Sequence, residues 1–170
     1  MATTATSRLP DRRDALRIAG ATVAVNLIGA LGVPFTTTQS AWFAALELPA
    51  FYPPGWAFGV VWPILYALCG AAAALVSLAG RDGAASAGRV RTALALFGIQ
   101  LVLNVTWSPV FWGLERPDLG LVVLAVLLPL VVATVWAFDR VDRRAAALLL
   151  PYLAWVCFAT ALNYAIWALN

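Results

Sequence analysis

Apolar side chains fall in five long blocks along the chain, roughly 16–35, 56–79, 90–113, 119–138 and 145–169, and the polar residues gather between them. A helix needs about 20 mainly apolar residues to cross the hydrocarbon of a bilayer, and each block is close to that length. The only ionised side chains inside the blocks are Arg17 and Arg91, both near an edge. The pattern predicts an all-α integral membrane bundle of five transmembrane helices over 15–170, after a polar N-terminal arm over 1–14. A membrane β-barrel is excluded, because its strands would alternate apolar and polar positions.

The connections after the second, third and fourth spans are short, which predicts antiparallel neighbours. The first loop, over 36–55, is long and carries Trp42, Phe43, Phe51 and Tyr52 among Pro49, Pro53 and Pro54. A loop of that length with its own aromatics is often functional. Trp and Tyr also anchor segments at headgroup level, and pattern alone leaves both readings open. Pro63, Pro109, Pro129 and Pro151 lie inside spans and predict kinks. Gly55 with Gly59, and Gly70 with Ala74, recur at four-residue spacing in the second span. Small residues so spaced favour close helix packing, within the bundle or in a homodimer.

Three spans place polar and aromatic residues on one helical face. In the third, Gln100, Asn104, Trp107, Ser108 and Phe111 stand at offsets of four, seven, eight and eleven. The fifth repeats the theme with Tyr152, Trp155, Ala159 and Asn163, and the second offers Trp62 and Tyr66. An amide in hydrocarbon must find a partner. These residues either bond helix to helix or wall a pocket of aromatic rings with a few amides, the usual make-up of a ligand site.

Charge fixes the expected orientation. All eleven basic residues are Arg. Arg8, Arg12, Arg13 and Arg17 lie in or beside the arm, Arg81, Arg89 and Arg91 follow the second span, and Arg140, Arg143 and Arg144 follow the fourth. Only Arg116 falls on the other side. By the positive-inside rule the N-terminus is cytoplasmic and the C-terminus external. The net charge of +3 thus reflects topology and not a nucleic-acid partner. The first apolar stretch is nearer twenty residues than the 7–15 of a signal peptide, so it is read as a retained span.

The missing residue types narrow the chemistry. The chain has no His, and its one Met is Met1. No acid or base lies deep in a span to drive proton coupling or to activate Ser108. Zinc and non-haem iron lack ligands. Haem lacks a His or an internal Met ligand, which leaves Cys or Tyr ligation open, and a bound tetrapyrrole is expected to be held by stacking and shape rather than through its metal. Cys69 and Cys157 lack ligand spacing and read as small core hydrophobes.

Three motifs carry a resemblance to a known family. They are Pro49-Ala-Phe-Tyr-Pro-Pro-Gly-Trp56 continuing to Trp62-Pro-Ile-Leu-Tyr66, Gln100-Leu-Val-Leu-Asn104-Val-Thr-Trp107-Ser-Pro-Val-Phe111-Trp-Gly113, and Pro151-Tyr-Leu-Ala-Trp155-Val-Cys-Phe-Ala159-Thr-Ala-Leu-Asn163-Tyr164. Together with Trp42 they resemble the signatures of the tryptophan-rich sensory protein / translocator protein family, over about 16–170. The resemblance implies a five-helix bundle with a cavity for porphyrins and related ligands, capped by the first loop. By matching position that cavity uses Trp62, Asn104, Trp107, Tyr152, Trp155, Ala159 and Asn163, with Trp42, Pro53 and Pro54 in its lid. Many members carry Trp where this chain has Phe51, so one indole donor is absent. The sterol motif of animal members needs a basic residue after a Tyr, and after Tyr164 only Ala-Ile-Trp-Ala-Leu-Asn follows. Sterol binding is therefore not expected.

The expected function is a membrane receptor or sensor for porphyrins or similar flat apolar ligands, in a bacterial cytoplasmic membrane and with no required cofactor. Transport of such ligands and light-dependent porphyrin degradation are the alternatives; no inverted repeat favours the first.

Overall fold

The computed structural model describes residues 11–170, so most of the polar arm, Arg8 included, lies outside the described residues. Among the described residues there are six α-helices and no strand. They are α1 (Arg12–Ala30), α2 (Ala41–Ala45), α3 (Gly55–Arg81), α4 (Ala87–Ser108), α5 (Pro117–Asp139) and α6 (Arg143–Leu169). All but α2 are long and apolar enough to cross a membrane; the first and third spans run on through short turns to Phe35 and Gly113. The protein is an integral membrane protein.

Local chemistry sets the helix ends. Asp11 caps α1 in a capping box with Asp14, whose carboxylate also pairs with Arg17 at 3.1 Å. Asp142 caps α6, accepting from the Arg144 N–H at 2.7 Å. Pro109 cannot donate to the carbonyl one turn back, and the backbone widens there into a π-helical turn over Pro109–Gly113. Leu114 N–H closes it onto the Pro109 carbonyl at 2.9 Å.

α1 packs on α3, α3 on α6, α6 on α5, α5 on α4, and α4 returns to α3 and α1. Chain direction alternates, so every arginine cluster among the described residues lies at one end of the bundle and the first loop lies at the other. The arginine end is solid. Ala72, Val76, Ala93, Phe97, Phe138, Ala145 and Leu149 fill it, and the rings of Phe97 and Phe138 meet at 5.8 Å. Large apolar side chains such as Leu27, Trp56, Ile64 and Val102 point outward, as a lipid solvent requires.

The two small-residue pairs of α3 do different things. A Cβ on Gly70 would stand 2.6 Å from Thr22 Cα and 2.7 Å from the Ala21 carbonyl oxygen, so the backbones of α1 and α3 meet there. Gly55 and Gly59 face open space. The cysteines also part company. Cys69 is buried as expected, whereas Cys157 is exposed on the outer face of α6, not a core residue.

Candidate functional site

The loop end of the bundle is hollow. A cavity of about 490 Å³ opens there, lined by all five long helices and by Phe43 and Tyr52 of the loop. Its lining contains no charged side chain. Ten of the lining residues are aromatic. Trp62 stacks on Tyr66 (5.3 Å between centroids, 25° between planes) on α3, and Trp107 stacks on Phe111 (4.8 Å, 23°) on the third span. Trp155 of α6 meets Trp62 edge-on at 6.3 Å and Phe58 at 6.0 Å.

The amides in this wall are also ties between helices. Tyr66 hydroxyl donates to Asn104 Oδ1 at 2.6 Å, joining α3 to α4. Trp107 Nε1–H donates to Asn163 Oδ1 at 3.0 Å, and Asn163 Nδ2–H donates to the Pro117 carbonyl at 2.8 Å. One amide thus links α4, α5 and α6. Gly120 makes this possible, because a Cβ there would stand 2.7 Å from Asn163 Oδ1. A fourth bond runs from Tyr152 hydroxyl to Gln100 Oε1 at 2.7 Å, beneath the cavity.

Of the residues singled out in the sequence, Trp62, Tyr66, Asn104, Trp107, Phe111, Trp155, Ala159 and Asn163 line the cavity together. Gln100 and Tyr152 are buried under its floor and outside the lining. Trp42 sits in the lid, outside the lining, with its ring edge-on to Phe111 at 5.8 Å and to Trp112 at 6.2 Å. Pro53 and Pro54 do not line the cavity either; Pro54 precedes the first turn of α3 as its cap residue.

Several lining residues went unselected in the sequence. Phe58 stands four before Trp62, so the helical spacing could have found it. Phe43 and Tyr52 come from the loop, where no periodicity guides selection; burial pushes the Tyr52 phenol above its ordinary pKa. Trp112 is buried because the π turn rotates it inward beside Phe111, and its ring meets Phe43 at 4.9 Å. Asn26 of α1 also lines the cavity.

The floor and the wall can be separated by substitution. Asn104→Ala leaves the Tyr66 hydroxyl without its partner and removes a lining group, so it is expected to lower both stability, by about 1 kcal/mol, and ligand affinity. Gln100→Ala is expected to lower stability alone. Melting temperature and ligand titration of the two detergent-solubilised variants check this.

The loop is fastened as well as packed. Ser40 Oγ caps α2 by accepting from Phe43 N–H at 3.1 Å. Phe51 meets Phe158 of α6 at 6.3 Å. Asn170 accepts from Glu47 N–H at 2.9 Å through Oδ1 and donates to the Glu47 carbonyl at 3.1 Å through Nδ2.

A five-span bundle with a neutral aromatic cavity under a fastened loop defines a membrane protein of the sensory or ligand-binding class. The sequence profile of the TspO/MBR family matches residues 21–168. The chain is 40% identical over 144 residues to Tryptophan-rich protein TspO of Chlorobaculum tepidum, covering 84% of this chain and 89% of that one. It is 36% identical over 150 residues to the Tryptophan-rich sensory protein of Cereibacter sphaeroides, covering 86% and 90%. It is 37% identical over 129 residues to human Translocator protein, covering 76% and 75%. The chain belongs to the TspO/MBR family.

Proposed function

We propose that the protein is a membrane receptor that binds porphyrins or similar flat, largely apolar macrocycles in the loop-end cavity. The observation that carries this reading is the wall itself: stacked rings around about 490 Å³ with no charged group in the lining. That volume lies within the roughly 300–1,000 Å³ of small-molecule sites. Planar rings favour a planar ligand, and offset or edge-on contacts each add about 0.5–1.5 kcal/mol beyond area burial. Any ionised substituents of the ligand belong at the mouth, since no cation lines the interior.

Titration of the purified protein with protoporphyrin IX, in the dark and in light, tests the proposal. Saturable quenching of Trp fluorescence with an unchanged porphyrin spectrum is the expected result. Loss of the porphyrin spectrum that needs both light and the cavity tryptophans would replace binding with degradation, and no saturable quenching would end the proposal.

The lid supplies a further prediction. Trp42→Ala removes the ring seated on Phe111 and Trp112 but none of the inter-helix ties. Porphyrin affinity is expected to fall about threefold to tenfold, from one lost stacking contribution, with the melting temperature little changed. Unchanged affinity would mean that Trp42 is only an interfacial anchor.

The arginine asymmetry supports a solid end at the cytoplasm and a cavity on the outer side, in a bacterial cytoplasmic membrane. A reporter fused after Asn170 should be active only outside the cytoplasm.

A further inference from the structure

The face of α3 that looks at α1 is a single row, Gly55, Gly59, Pro63, Ala67 and Gly70. Toward the arginine end it is closed: Gly70 meets the α1 backbone at Thr22, and Gly29 of α1 lies against the Tyr66 ring. Beyond that contact the same row changes character. Gly55, Gly59 and Pro63 are exposed at the bundle surface and also line the cavity. So do Ala30, Val33 and Thr36 at the facing end of the first span. Cavity-wall residues this exposed at the facing ends of two neighbouring helices, with nothing packed over Gly59, point to an opening between them.

A Cβ built on Gly59 meets no atom within 4 Å. The lid's ring contacts go elsewhere, to Phe111 and Trp112, to Phe58 and to Phe158. Its hydrogen bonds to the helix end go to α6. The loop therefore covers the end of the bundle and leaves its α1–α3 flank open. Pro63 lies eight residues into α3, about 12 Å along the axis at 1.5 Å per residue, a depth that reaches hydrocarbon. The rim residues are small and uncharged, and all but Thr36 are apolar.

From these features we infer that the cavity opens sideways into the loop-side half of the bilayer through a slit between α1 and α3, and that an uncharged ligand dissolved in the hydrocarbon enters by it. The ligand part rests on the binding reading above; the slit itself does not. The slit makes the cavity an outlet of the lipid phase and selects for neutral macrocycles, since a charged one would not reach the rim from hydrocarbon.

Two measurements on the full chain in phosphatidylcholine vesicles test it. The first uses no porphyrin. Acyl-brominated phosphatidylcholine is expected to quench Trp62, read as the difference between the chain and Trp62→Phe, and Gly59→Phe is expected to abolish that quenching. Absence of Trp62 quenching in the unmodified chain, as when a second copy seals the flank, overturns the slit. The second measurement follows protoporphyrin IX dimethyl ester by stopped-flow. Gly59→Phe and Val33→Trp, one on each rim, should each slow association by about tenfold. Unchanged rates with unchanged affinity would route the ligand through the loop instead and overturn entry by the slit. Quenching of Trp62 by the lipid without any binding of the ester would uphold the slit and refute the binding reading.

Discussion

Trp107→Ala is expected to lower porphyrin affinity by about thirtyfold, the scale of a buried aromatic hot spot worth about 2 kcal/mol. Trp107 serves the wall in two ways. Its ring stacks on Phe111, and its indole N–H holds Asn163, which in turn holds the start of α5. The first contribution is to the ligand and the second to the bundle. Trp107→Phe separates them. It keeps a stacking face but loses the bond to Asn163, so it should cost stability of about 0.6 kcal/mol, typical of an interhelical bond in a membrane, while retaining most of the affinity. Porphyrin titration beside melting temperature for both variants decides the matter. A folded Trp107→Ala protein that binds as tightly as the parent would remove this face from the binding site.

Gly70→Leu should be the most destabilising single change on α3. Helix propensity alone has the opposite sign, since replacing an interior glycine favours a helix by about 0.5–1 kcal/mol. The packing outweighs it. A Cβ at Gly70 meets three backbone atoms of Ala21 and Thr22 within 2.8 Å, and backbone cannot turn aside as a side chain can. Overpacking of this kind costs about 1–3 kcal/mol, and the upper end is expected because α1 must move as a body. Gly59→Ala, on the same row, meets nothing and should be neutral or slightly stabilising. Unfolding by dodecyl sulfate in mixed micelles compares the two. Equal stabilities would mean that α1 does not lie against α3 at Gly70.

The legible part of this protein follows from two periods. Block length marks the spans, because hydrocarbon thickness sets helix length. The helical period then brings Asn104, Trp107 and Phe111 to one face, and all three line the cavity. The same period also selected Gln100 and Tyr152, which lie below the floor; a face has direction but no depth, so spacing cannot say where a cavity stops. Trp112 was hidden for a different reason. Its burial depends on the extra residue in the turn after Pro109, which shifts the register of everything beyond it. The choice between glue and wall for Asn104 and Asn163 had no answer in the sequence, because each does both. Phe43 and Tyr52 reach the cavity through loop geometry that no pattern of apolar positions encodes.

The solid arginine end makes the chamber a blind well. A solute crossing to that side would have to part side chains such as Val76, Ala93 and Phe138, each with no exposed surface, and rebury them behind it. A solute that enters a well of this shape leaves by the way it came. For the receptor proposed above, occupancy would then read out the chemical potential of the ligand on one side alone, as a gauge does.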